Sequence, residues 1–449
     1  MDREEIINKI REAGVVGAGG AGFPTHAKVN CQAEVVIANG AECEPLLRVD
    51  QQVMALFAKQ LIRGLQAEME CCGAKEGVIL LKDHYHDAIA ALQAELKFLR
   101  NIRLHVIKSY YPAGDEQQII YEVTGRVVPT GGLPKDAGAV VQNVSTLVNV
   151  ANALEDQPVT DKFVTVGGAV NNPVTVCAPI GTSVKALLNA AGGVVGDCAI
   201  IIGGPCMGAV AADINIPITK TTGGILAIPK EHPLLQKKSA EINMKVMQSV
   251  CCQCSMCTQM CPRNALGLHV QPHKAMRAVA NGEDLFGDVN GIFSCCDCGV
   301  CTYFACNFGL KPSAIMKRVK GQLAASGVKP RVEAKYPPDR FIEDKRIPTE
   351  RLITRLGVGQ YDVEAPMAPG IYPAKVVRIN LKQHIGAPSK PVVEQGDMVK
   401  RGQLIAQIPE KALGANIHAS IDGRVSEVTE QYIELKVVAN EHAAGAGNA

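Results

Sequence analysis

Ten of the chain's 17 cysteines fall between Cys251 and Cys306. So dense a run leaves two structural solutions, disulfide staples or metal-bound loops, and the choice depends on the redox compartment. The N-terminus, Met1-Asp2-Arg3-Glu4-Glu5, carries acids and lacks an apolar leader core, so a reducing, cytoplasmic setting is expected. In that setting the cysteines point to metal. Their spacing is regular: Cys251-x2-Cys254-x2-Cys257-x3-Cys261-Pro262, then Cys295-x2-Cys298-x2-Cys301-x4-Cys306.

The first run has the spacing of two-cluster ferredoxins, in which three thiolates of one loop hold one cubane and the fourth reaches the other cluster. The second run departs from it twice, with a longer last gap and Asn307 in place of proline. Two [4Fe–4S] clusters are therefore expected. In the crossed arrangement Cys251, Cys254, Cys257 and Cys306 hold one, and Cys295, Cys298, Cys301 and Cys261 hold the other. Zinc is the alternative, but a third cysteine three residues on overcrowds a tetrahedral ion. Cys252 and Cys296 are expected to pack beside the sulfurs, with substitution of either for a ligand as the alternative. Cys71 and Cys72 are read as capping a helix end, and Cys31, Cys177, Cys198 and Cys206 as small buried hydrophobes.

Length calls for several domains. A net charge of +2 gives no electrostatic case for nucleic acid, and the absence of Trp gives no stacking platform for single strands. No apolar run approaches the ~20 residues that span a bilayer. Residues 2–13 have the pattern of an amphipathic helix; its pattern also permits a targeting role, and a short structural helix is the preferred reading. Strands are expected at 35–38, 78–81 and 103–106, with helices at 51–70 and 86–98, an α/β alternation. From 159 the texture becomes that of a small strand–helix–strand domain. Helical stretches such as 272–280 accompany the cysteines, residues 327–350 are rich in charge and proline, and short alternating strands follow Pro369-Gly370.

Gly17-x-Gly19-x-x-Gly22 fits the dinucleotide-loop pattern, but an amphipathic helix precedes it and Pro24 follows, so the strand–turn–helix context is missing. Four glycines in six residues still gather backbone N–H groups suited to a phosphate. The wider stretch, Gly17-Ala-Gly-Gly-Ala-Gly-Phe-Pro-Thr-His-Ala-Lys28, resembles the FMN loop of the NADH-oxidising subunit of respiratory Complex I and of the C subunit of the Rnf electron-transport complex. Asn39-Gly-Ala-Glu42-Cys-Glu44-Pro45, Tyr111-Pro-Ala-Gly114-Asp115-Glu116 and Gln142-Asn143-Val-Ser-Thr146 resemble further flavin-site segments. Pro129-Thr-Gly-Gly-Leu-Pro134 and Gly203-Gly-Pro-Cys-Met-Gly208 resemble Rnf-type signatures.

The resemblance implies that Gly17, Gly19, Gly20, Gly22 and Lys28 hold the FMN phosphate. Asn39, Glu42 and Asn143 would touch the ribityl chain or ring, with Gly114 and Thr146 in the same site, and Glu44 and Glu116 would lie near NADH. Ala18 and Ala41 depart from the Complex I pattern, which has Arg and Asp there. The implied fold is multidomain α/β and α+β. It comprises an FMN domain at 1–157, a soluble-ligand-binding β-grasp domain at 158–230, a helical two-[4Fe–4S] domain at 239–326, a linker at 327–368 and a barrel-sandwich hybrid module at 369–440. In related contexts the β-grasp fold binds cobalamin; a structural spacer is equally open. The last module resembles that of the Rnf C subunit through Gln383-His-Ile-Gly-Ala-Pro388, and shares its fold with lipoyl carriers, but Lys411 is off register and reads as a turn lysine.

In the Rnf C subunit that module comes first. Here it comes last, an order resembling the cobalamin reductase family of bacterial propanediol-utilisation microcompartments. That resemblance implies an NADH-dependent flavin/iron–sulfur oxidoreductase reducing cob(III)alamin to cob(II)alamin and cob(I)alamin. An adenosyltransferase and microcompartment proteins would be its partners, in the cytoplasm inside a microcompartment. No residue is expected to act as an acid–base catalyst; flavin converts paired electrons to single ones. The alternatives are an Rnf C-like component passing electrons between NAD(H) and ferredoxin, and a cluster-bearing scaffold.

Overall fold

The computed structural model describes residues 1–239, 241–283, 287–331 and 337–438. The end of the expected module at 440, residues 332–336 of the expected linker and the tail from 443 lie outside the described residues.

Val35–Gly40, Glu76–Lys82, Ile102–Ile107 and Ala139–Asn143 form a parallel sheet in the order 102–107, 76–82, 35–40, 139–143. Its strands read as continuous apolar runs because both faces are covered. Val36, Ala38, Ile79 and Leu81 pack with Leu61, Leu65 and Leu147 of helices Ala58–Cys72 and Val144–Leu154. The alternate residues Val35, Ile37, Val78 and Leu80 pack with Ile119 and Ile120 of helix Glu116–Thr124. Gly64 permits the two helices of the first face to touch: a Cβ there would stand 1.9 Å from the Leu147 carbonyl oxygen. The N-terminal helix Arg3–Glu12 buries Ile6 and Ile10 in the same core, so its apolar face already has a partner.

The single helix expected at 51–70 is two, Val49–Leu56 and Ala58–Cys72, broken where Phe57 adopts φ −124°. Cys71 and Cys72 do end the second helix. Cys206 is buried, whereas Cys31, Cys177 and Cys198 are only partly so, a correction to the reading of all four as buried.

A second, six-stranded sheet has the order 367–371, 174–179, 161–168, 224–229, 198–202, 209–210, with helix Val184–Ala190 on one face. Its outermost strand, Met367–Ile371, begins in the stretch expected to link the last two domains. That stretch is also far from featureless. Ile347–Pro348 pairs with Tyr110–Tyr111, helix Thr349–Leu356 follows, and Arg346 pairs with Glu122 while lying over the Tyr110 ring.

The cysteine region packs short helices around its own core, including Pro272–Ala280 and Pro312–Ala325. The C-terminal strands form a four-stranded sheet (376–380, 432–436, 423–428, 398–399) and a three-stranded one (390–391, 404–407, 417–418). Their inward residues, among them Val377, Ile405 and Ile433, belong to the same apolar cluster as the N-terminal helix. Lys411 sits in a turn with φ +58°.

Candidate redox site

The glycine loop is closed on itself by Gly17 N donating to the Phe23 carbonyl at 3.0 Å. Thr146 Oγ1 accepts from Ala18 N at 2.8 Å, and Lys162 Nζ donates to the Ala18 carbonyl at 2.8 Å. Gly19 lies against Asn143, with no room for a side chain, while Gly20 faces open space. Gly22 has φ +74° and is covered by Thr221 and His384 of later domains. Asn143 caps helix 144–154 through Ser145 N and donates from Nδ2 to both oxygens of Asp50 at 3.0 and 3.1 Å. Across the site, Lys28 is ion-paired with Glu116 at 2.8 Å, and Asn39 Nδ2 donates to the Gly114 carbonyl at 3.1 Å.

Two of the expected flavin or nicotinamide contacts have other partners. Both Glu42 oxygens accept from the backbone at the start of helix 49–56, from Val49 N and Asp50 N. Glu42 is thus a helix cap. Both Glu44 oxygens accept from backbone N–H groups of the second domain, Cys206 N at 2.8 Å and Met207 N at 2.9 Å, with the Tyr111 hydroxyl 3.2 Å away. Glu44 is a clasp between domains, made possible because Gly204 leaves its carboxylate space.

Three charged residues of the site were not singled out from the sequence: Asp50, Lys82 and Lys162. Burial and the neighbouring Asp50 push the Glu42 carboxyl up to about 8, and burial pushes Asp50 up to about 6. Lys82 donates to the Glu42 carbonyl, and burial lowers its pKa; burial brings Lys162 down to about 8. The available signal was a lysine at the edge of an apolar strand, Lys82 after Val78–Leu81 and Lys162 before Phe163–Val166.

The eight motif cysteines come together in two sets. Cys251, Cys254, Cys257 and Cys306 line one concavity with His273 and Phe308. Cys295, Cys298 and Cys301 lie within electrostatic reach of Cys261. The four thiols spread around the first concavity suit a cubane, whose irons stand at separate corners. The loops share a backbone conformation: Gln253 and Asp297 have φ +56° and +58°, and Ser255 and Gly299 φ +58° and +75°. Left-handed turns at matching places form concave N–H-lined loops that suit an anionic group. Backbone N–H groups of Arg263 and Asn264 reach the Cys261 sulfur. Cys301 begins a single π-helical turn ending at Ala305, which takes up the longer last gap of the second motif. The residues therefore fit both groups.

The Nuo51 FMN-binding domain family matches residues 10–152, the SLBB domain family 163–208, the 4Fe-4S dicluster domain family 250–311 and the RnfC barrel sandwich hybrid domain family 364–441. Cobalamin reductase PduS of Citrobacter freundii is 44% identical over 97% of each chain, and PduS of Salmonella typhimurium strain LT2 likewise. The chain belongs to the PduS cobalamin reductase family. The C component of the Na(+)-translocating ferredoxin:NAD(+) oxidoreductase complex of Acetobacterium woodii is 36% identical over 61% of this chain and 60% of its own. As a PduS-family chain it is an oxidoreductase with an FMN-type domain, a dicluster domain and an Rnf C-type module placed last.

Proposed function

We propose that this chain takes electrons from NADH and delivers them singly to cob(III)alamin, giving cob(II)alamin and then cob(I)alamin. FMN bound at the glycine loop would supply the conversion from paired to single electrons, and two [4Fe–4S] clusters the onward path. Gly17, Gly19, Gly20, Gly22 and Lys28 would hold the phosphate end, with Asn39, Gly114, Asn143 and Thr146 fixing the loop and the floor. Glu116 would lie at the mouth, where it orients Lys28.

The chain's own contribution is to position and insulate. Lys162 lies close enough to Asp50 to compensate its charge, while the Glu42 carboxyl, raised to about 8, carries little charge at neutral pH. Arg263 and Asp115, 11% and 8% exposed, lock the flavin segment to the cysteine region. That buried pair is the observation that supports the reading, because it joins the flavin segment directly to the loop that follows Cys261.

An adenosyltransferase that consumes cob(I)alamin, and other microcompartment proteins, are the proposed partners, and the inside of a microcompartment the proposed location. No helix among the described residues is long and apolar enough to cross a membrane. The test is an anaerobic NADH titration followed by visible spectra and low-temperature EPR, with and without hydroxocobalamin. Flavin bleaching, cluster signals and then cob(II)alamin are expected. Reduced flavin and clusters beside untouched cob(III)alamin would overturn the cobalamin reading and favour an electron shuttle of the Rnf C kind.

A further inference from the structure

The two cysteine sets are not equivalent in their surroundings. Tyr111 Oη donates to the Cys298 carbonyl at 2.6 Å, and Gln118 Nε2 donates to the Pro262 carbonyl, next to Cys261, at 2.8 Å. Arg263 Nε and Nη2 donate to the two oxygens of Asp115 at 2.8 and 2.6 Å. Tyr111, Asp115 and Gln118 flank Gly114, whose carbonyl is held by Asn39. The flavin-domain segment 111–118 is thus fastened directly to residues of the Cys261/Cys295/Cys298/Cys301 set. In that set Cys261, Cys298 and Cys301 are each 8% exposed. In the other set Cys254 is exposed, and Cys251 and Cys306 are partly so. Around it Gln253, Met256, Asn307 and Phe308 are exposed, Phe308 at 51%. Cys257, the buried member of this outer set, is within electrostatic reach of Cys301, so the sets adjoin.

We infer that the two sets are stations in series. Cys261, Cys295, Cys298 and Cys301 hold the inner centre, which receives electrons from the flavin site. Cys251, Cys254, Cys257 and Cys306 hold the outer centre, from which electrons leave the chain. The inference rests on the proposed cofactors and fixes their order. The balance is two electrons per NADH, with NAD+ and one proton released and two cob(III)alamin each taking one electron to become cob(II)alamin. Electron tunnelling weakens steeply with distance, so the centre fastened to the flavin segment fills first, and the one at the surface meets an acceptor too large to enter the fold.

The structure also offers the competing route. A groove lined by Met207, Lys238, Asp297, Tyr303 and Lys317 runs beside the inner set. An acceptor seated there would draw from the inner centre and bypass the outer one.

Dithionite-reduced full-length protein, with both clusters assembled, tests the order without any turnover. A dysprosium chelate in solution relaxes the EPR signal of whichever centre lies nearer the surface. The signal altered in Cys254→Ser should relax strongly, and that altered in Cys298→Ser weakly. Equal relaxation, or the reverse, overturns the assignment. Reduction by NADH supplies the second readout. In Cys298→Ser the outer signal should be lost with NADH yet appear with dithionite, whereas in Cys254→Ser the inner signal should still form with NADH. If Cys298→Ser fails to assemble, Tyr111→Phe, which removes only the hydroxyl bonded to the Cys298 carbonyl and leaves every cysteine sulfur in place, should slow the arrival of electrons at both centres. An unchanged rate at the outer centre there overturns the order. Failure of NADH to reduce wild-type protein would count against the donor and leave the relaxation result standing.

Discussion

A methyl group at position 19 would sit 2.7 Å from Asn143 Nδ2, and one at position 20 would meet no protein atom within 4 Å. The two glycines therefore separate a structural demand from a ligand's. Gly19→Ala must push Asn143 away from the Asp50 carboxylate, leaving a buried acceptor short of donors at a cost of about 1–3 kcal/mol. Lower thermal stability of the flavin-free protein and weaker FMN binding are both expected. Gly20→Ala should leave the flavin-free melting temperature unchanged and still weaken FMN binding, because the added methyl fills only the space reserved for the ligand. Calorimetry and flavin-fluorescence titration check both; equal FMN affinity in Gly20→Ala and wild type would remove Gly20 from the site. The glycines were legible because a phosphate loop needs several in a few residues. Asp50 was not, because nothing in Val49-Asp-Gln-Gln distinguishes it from a solvated helix carboxylate until Asn143, far along the chain, is folded onto it.

Among elements, the joint between helix 116–124 and the Cys261 loop turns on one ion pair. Asp115 caps that helix, and Arg263 is fixed by both Asp115 oxygens in a nearly water-free place. Removing one partner of a buried pair strands the other's charge, at about 3–5 kcal/mol. Arg263→Ala and Asp115→Ala should each lower stability by that order in denaturant titration, and the double variant should fall short of the sum. Additive losses would mean that the pair does not couple the domains. Elements with a strong apolar signal, such as the continuous run at 78–81, were legible. The segment around 347–356 was not: its order comes from pairing with Tyr110–Tyr111 and from the Arg346–Glu122 contact, both non-local. The break at Phe57 was equally hidden, since residues on either side of it are helix-forming.

At the scale of the whole molecule, the order of the modules was readable but their embrace was not. The C-terminal module returns to the glycine loop: Ile385 N donates to the Gly22 carbonyl at 3.2 Å, and Lys220 Nζ bridges the carbonyls of Gly14 and Asn416 at 2.6 and 2.7 Å. Two histidines lie in this seam, each 7% exposed and each with Nδ1 unpartnered. Burial, with Lys220 and, for His384, Lys382 and His26 nearby, lowers His384 to about 4; burial and Lys220 lower His418 to about 3. Both are neutral in the folded protein at pH 7. In the unfolded chain they take up protons below about 6.5, so stability is fully present above that pH and is lost as the pH falls toward 4 and 3. Because the seam braces the loop that would carry the FMN phosphate, acid should loosen flavin before it unfolds the sheet behind it. Release of fluorescent flavin is therefore expected between about pH 6.5 and 4, ahead of the loss of secondary structure seen by circular dichroism. His384→Gln and His418→Gln cannot take up that proton, so each should shift flavin release to lower pH. Release that coincides with global unfolding in all three proteins would show that the seam does not govern the loop.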